Sequence, residues 1–168
     1  MIAMSIATLT CDGAFAQITA PSALQVAESS SFFKDQKVRE SAADVIASLE
    51  RTVKAGADIN QTDSNGNNAL TYALVFAVTN RHGAEANPIV KALFRLGVDV
   101  NRQIGPAGEA IHPICAPLIW GAFNYDLLDI LLTTGASKKV KCNGLSLEET
   151  ASMHGNSADF LPILKKHL

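Results

Sequence analysis

The sequence predicts an all-α fold made of repeated helix pairs, and two observations predict it. The phrase Gly56-Ala57-Asp58-Ile59-Asn60 returns as Gly97-Val98-Asp99-Val100-Asn101 and, shortened, as Gly135-Ala136-Ser137. Each copy follows an apolar run at helical spacing, over residues 45–53, 89–96 and 127–132. Helices that stop on glycine in the same way three times are a repeat, and a repeat buries its apolar face only against its neighbours. Stacked repeats build interaction surfaces rather than enclosed pockets, so the expected task is binding.

Length and charge bound the rest. At 168 residues the chain supports one domain with enough apolar content for a core. The net charge of -2 supplies no long-range pull toward nucleic acid or an anionic membrane. Basic residues cluster only at Lys138, Lys139 and Lys141 and at Lys165-Lys166, where a turn and a last helical turn account for them. No stretch reaches the roughly 18 apolar residues that a membrane span needs.

The N-terminal residues differ in composition from the remainder of the chain. Residues 1–33 contain no Lys or Arg, residues 1–9 are apolar, and Ala14-Phe15-Ala16 before Gln17 fits the small-x-small pattern of a signal-peptidase site. Residues 1–16 are therefore expected to be a secretory signal cleaved after Ala16, which places the mature chain in a bacterial periplasm or outside the cell. A positive n-region is missing, so the competing expectation is an ordinary apolar helix start in a cytoplasmic protein. Cleavage would remove Cys11 and leave Cys115 and Cys142 as an even pair, bridged or free. A bridge needs Cα atoms within about 7 Å, a distance that only the fold decides.

Residues 17–31 are small and polar, with Pro21 and Ser29-Ser30-Ser31, and read as a linker or N-terminal extension; residues 32–168 form the repeat domain. Val38, Val45, Ile46, Leu49 and Val53 share a helical face that Gly56 ends. Asp63-Ser64-Asn65-Gly66 is a turn, and Asn68 is placed to cap a helix over 69–78. Residues 79–86 read as a polar, flexible connection. Asn87 is then expected to cap a helix that has Pro88 in its first turn and Gly97 at its end. Residues 102–113, with Gly105-Pro106 and Gly108, are not regular helix. Further helices are expected over 117–123, over 126–134 with Asp126 as cap, over 147–153, and from 159 onward, after an Asn143-Gly144 turn and a break at His154-Gly155-Asn156.

These units resemble ankyrin repeats, whose signature is Gly-x-Thr-Pro-Leu-His-x-Ala at about a 33-residue period. The corresponding segments are Gly66-Asn67-Asn68-Ala69-Leu70-Thr71-Tyr72-Ala73, Ile114-Cys115-Ala116-Pro117-Leu118-Ile119-Trp120-Gly121, and Gly144-Leu145-Ser146-Leu147-Glu148-Glu149-Thr150-Ala151. Leu70 and Leu118 hold the buried leucine; Ala73, Gly121 and Ala151 hold the small site where paired helices approach. The resemblance covers about residues 38–168 and implies an ankyrin-like helix-turn-helix solenoid of about four units with short β-turn fingers. Gly56 to Gly97 is 41 residues and Gly97 to Gly135 is 38, so the units are long by eight and five. The eight fall between helices at 79–86; the five fall in the finger at 102–113.

In that register Tyr72 and Trp120 occupy the same place in successive units, near the concave face that the resemblance implies. They either anchor a partner, as aromatic hot spots do, or stack between units. Phe123 and Asn124, with Val75 and Phe76 in the unit before, extend the same surface. Asn65 and Asn67 either contact a partner or hold their turn together with Asp63. Arg102, Gln103, Glu109 and His112 have no evident internal role and are expected contact residues of the finger.

Catalysis is not expected. His82, His112, His154 and His167 are scattered, with no His-Glu-x-x-His, no Cys-x-x-Cys and no phosphate-cradling loop. No cofactor, metal or nucleic acid is expected, only another protein, with the chain a monomer outside that complex. An immunity or inhibitor protein is one form of this expectation, and a periplasmic scaffold or accessory protein for an enzyme is the other. The rival of a different class is a thiol-dependent enzyme, a hydrolase or redox protein, using Cys115 or Cys142, with His154 as the base where Cys142 is the nucleophile.

Overall fold

The computed structural model describes residues 21–34, 40–120, 124–153 and 157–167. The expected signal and its cleavage site, and with them Val38, Gly121, Phe123 and the break at 154–156, lie outside the described residues. Among those residues the chain is helical, with helices α1 (Ala23–Ser29), α2 (Ala42–Lys54), α3 (Ala69–Thr79), α4 (Asn87–Arg95), α5 (Cys115–Trp120), α6 (Asp126–Thr133), α7 (Leu147–Met153) and α8 (Ser157–His167).

Half of these helix starts are written locally. Ser22 and Gln25 exchange the two bonds of a capping box at α1, Ser41 and Asp44 do so at α2, and Asn68 and Thr71 at α3. Ser146 and Glu149 make the same exchange ahead of α7, at 2.7 and 3.2 Å. Two expected caps act otherwise. Asn87 is already helical, behind a 3-10 turn at Gly83–Ala86, and Asp126 follows Tyr125 as the first residue of α6. The connection over 79–86 is packed rather than loose. Ala86 is fully buried, and a Cβ on Gly83 would meet the Ala77 carbonyl oxygen at 2.1 Å.

The recurring glycines end α2, α4 and α6 in one way. Gly56, Gly97 and Gly135 have φ of +92°, +93° and +98°. After each, the next amide reaches back five residues: Ala57 to Thr52, Val98 to Leu93 and Ala136 to Leu131, at 3.2, 3.0 and 3.0 Å. That is the Schellman closure, and glycine meets its left-handed position without strain.

Packing arranges the helices in two rows. α1, α3, α5 and α7 touch in succession as a first row, and α2, α4, α6 and α8 as a second; each first-row helix also touches the second-row helix that comes after it. α3 touches α1, α4 and α5, so apolar residues cover most of its circumference, with Leu70, Ala73, Leu74, Phe76, Ala77 and Val78 all buried. Leu93, Leu118, Leu127, Leu128, Leu131, Phe160 and Leu164 continue one core to the end of the chain. Residues 17–31, read from sequence as linker or extension, contain α1. Its Ala23, Leu24 and Ala27 are buried, and Phe32 packs against Phe76 with ring centroids 5.1 Å apart and the planes tilted by 45°. Small apolar residues at a spacing of three or four suffice to bury one face of two helical turns.

Three turns precede the first-row helices. Asp63 holds the first, accepting bonds from the Asn65 and Asn67 amides at 2.8 Å each and from Asn67 Nδ2 at 3.1 Å. The second is closed by Ile104 and Ile111, which exchange backbone bonds at 2.9 Å in both directions. The third is a hairpin of Cys142 and Leu145 around Asn143-Gly144, both with positive φ, as a type I′ turn requires. The sulfurs of Cys115 and Cys142 are joined, with Cα atoms 5.5 Å apart, so of the two expectations for this pair the structure holds the bridge.

Candidate functional site

The turns are linked sideways by the asparagine that closes each repeated phrase. Asn60 Nδ2 donates to the Gly97 carbonyl at 3.1 Å while its Oδ1 accepts from the Asp99 amide at 2.8 Å. Asn101 does the same one unit on, to the Gly135 carbonyl at 3.2 Å and from the Ser137 amide at 2.7 Å. Asp58 and Asp99 meanwhile accept from the Asn60 and Asn101 amides, holding each asparagine in position. The third phrase has Lys139 where the first two have asparagine, and this pattern of rungs stops there. The sequence assigns these asparagines to their own turns; their reach across 34 to 39 residues has no local signal.

Several expected contact residues prove to have internal partners. Arg102 donates to the Asn60 carbonyl at 2.9 Å. One ring nitrogen of His112 lies 3.2 Å from the Asn101 carbonyl and the other 3.4 Å from Gln103 Nε2. Asn67 is bonded to Asp63 on its own turn. For Asp63 burial alone would raise the carboxyl pKa, but the bonds from Asn67 and Asn65 outweigh it and hold the group below the ordinary carboxylate value. The expectation that the finger residues lack internal roles therefore fails for Arg102, Gln103 and His112. Glu109 and Asn65 remain exposed.

The aromatic pair divides. Tyr72 is half-buried on α3 and donates to Glu28 of α1 at 3.1 Å; burial, together with the Glu28 carboxylate, raises its pKa. Trp120, at the end of α5, is 48% exposed. Asn124 is only 2% exposed and exchanges two amide bonds with Asn87, at 3.3 and 2.8 Å, so it fastens the start of α6 to α4 and is not free to touch a partner.

Among the described residues the large apolar side chains left exposed are Val75 at 45%, Trp120 at 48% and Met153 at 69%. They lie on α3, α5 and α7, one on each successive first-row helix. Met153 has no signal of exposure in the sequence, because it ends a short helix at a position expected only to precede a break. Beside α3, Phe33, Asn67, Thr71, Tyr72 and Val75 line a shallow groove of about 350 Å³.

Among the described residues no cluster of three or more His, Cys, Asp or Glu is placed to hold a metal, and no helix is long and apolar enough to cross a membrane. The sequence matches no protein-family model and no curated protein.

Proposed function

We propose that the chain is an ankyrin-like repeat protein that holds another protein on its first helix row and finger turns. The observation that carries this is the placement of Val75, Trp120 and Met153, one per first-row helix and each exposed. Large apolar side chains left in water along one helix row of a repeat stack favour contact with a partner. Trp120 is the anchor, since tryptophan is enriched among residues that dominate interface energy. Glu109 and Asn65 on the turns supply polar contacts at the rim. The paired helices, Schellman ends and finger turns support the ankyrin likeness. Tyr72 and Asn124 serve the scaffold.

The bridge between Cys115 and Cys142 supports residence in an oxidising compartment, a bacterial periplasm or the exterior. It also counts against a thiol-dependent enzyme, because both sulfurs are bonded to each other and both residues are 1% exposed. An immunity or inhibitor role and a scaffold role for an enzyme share this surface and differ in the partner.

Capture of the partner from native extract, followed by titration against variants, tests the proposal. Trp120→Ala should weaken binding by about 30-fold, the effect of losing a hot spot of about 2 kcal/mol, with an unchanged circular dichroism spectrum. Equal affinity of Trp120→Ala and wild type would remove the first row as the binding face.

A further inference from the structure

On the second row, α4 and α6 leave a trough of about 470 Å³ between them. Its floor is Phe94 and Ile130; Lys91 and Arg95 stand on the α4 side, and Asp129 and Thr133 on the α6 side. Lys91 and Arg95 are four residues apart, so they project from the same face one turn apart, where like charges weaken a helix. Neither has an ion pair or hydrogen bond among the described residues. Asp129, the one carboxylate lining the trough among the described residues, is already engaged: His167 Nε2 lies 2.8 Å and Lys166 Nζ 2.9 Å from its Oδ1. The trough therefore combines an apolar floor with two cations that have no hydrogen-bond or ion-pair partner among the described residues, beside a carboxylate that Lys166 and His167 already hold.

We propose that this trough receives an acidic segment of a partner protein, with carboxylates against Lys91 and Arg95 and an apolar side chain on Phe94 and Ile130. Charge complementarity selects an anion, and the floor selects one that carries apolar bulk. The trough is open to solvent. It covers only part of any occupant, whereas small-molecule sites bury most of their ligand; a segment of a larger partner brings the rest of its own cover. Val75, Trp120 and Met153 lie on the other helix row, so the trough stands whether or not those residues hold a partner.

Titrating the isotope-labelled whole chain with the capped peptide Glu-Phe-Glu-Phe-Glu, monitored by NMR, tests this. Millimolar peptide should shift amide signals within residues 91–95 and 129–134. The shifts should fade as salt is raised, because the pair is exposed and screened. Lys91→Glu with Arg95→Glu should weaken the peptide at least about tenfold, and Lys91→Gln with Arg95→Gln by a smaller factor, both with signal dispersion retained. The peptide Lys-Phe-Lys-Phe-Lys should shift nothing there. Absence of shifts at these residues, or equal binding by the folded charge-reversed chain, would overturn the proposal. Sodium decanoate acting on the same residues at lower concentration than the peptide would overturn it too, in favour of a site for small amphiphiles.

Discussion

Replacing Asn101 by Ala removes both bonds that tie the second repeated phrase to the third. The side chain donates to the Gly135 carbonyl at 3.2 Å and accepts from the Ser137 amide at 2.7 Å. A net hydrogen bond is worth about 0.5–1.5 kcal/mol. Asn101 is exposed, so water takes up the orphaned groups and the lower half of that range applies; two bonds give about 1–2 kcal/mol in all. With a urea slope of about 2 kcal/mol per molar, the unfolding midpoint should fall by roughly 0.5–1 M at unchanged slope. Asn101→Asp is sharper. It keeps the size and the acceptor but turns the donor into an oxygen facing the Gly135 carbonyl. It also sets a negative charge at the C-terminal end of α6, unfavourable by about 0.3–1 kcal/mol. The aspartate variant should therefore be no more stable than the alanine variant. Asn65→Ala, at an exposed turn position, is the control and should stay within about 0.5 kcal/mol of wild type. If Asn101→Ala matched that control, or if Asn101→Asp exceeded Asn101→Ala in stability, the cross-unit rung would be refuted.

The same geometry sets three further outcomes. Changing Cys115 and Cys142 to Ala opens a link across a sequence separation of 27; chain entropy puts the loss at about 3.5 kcal/mol, or a fall of about 10 °C in Tm by calorimetry. Gly66→Ala should cost about 2–4 kcal/mol, since φ is +75° and the new Cβ would lie 2.4 Å from the Gly105 carbonyl oxygen. Gly56→Ala, with φ +92° and open space around it, should cost only about 1–2 kcal/mol; equal losses in urea titration would mean the turns do not touch. The Asp63 carboxyl is held below its ordinary value of 3.8, so its contribution is fully present above that value and drains away as pH falls through the lower folded one. The stability gap between wild type and Asp63→Asn, measured by thermal unfolding, should accordingly be constant near neutrality and narrow as the pH falls below the ordinary value of 3.8.

The features legible in the sequence are those that a few neighbouring residues decide. The glycine stops at 56, 97 and 135 are local backbone events, as is the Asn68 cap, and each appears at its expected position. Asn87 and Asp126 look equally good as caps, yet the preceding residues are already helical in their backbone angles, so the chain starts its turn one residue early. Asn87 is then free to pair with Asn124, a partner 37 residues away with no trace in either neighbourhood. The finger shows the same limit. Arg102 and His112 look unpartnered in sequence because their partners are backbone carbonyls of Asn60 and Asn101, which every residue owns and no sequence displays. Exposure is equally hidden: Tyr72 and Trp120 share a position in the expected register, yet Tyr72 is half-buried and bonded to Glu28 while Trp120 is 48% exposed.

The central proposal, that the first row is the binding face, is tested most directly by site-specific photocrosslinking in the native host. A photoreactive residue at position 120 of α5 is compared with one at position 50 of α2, on the second row and exposed. The proposal predicts a defined partner adduct from position 120 and none from position 50. An adduct from position 50 with none from position 120 would contradict it.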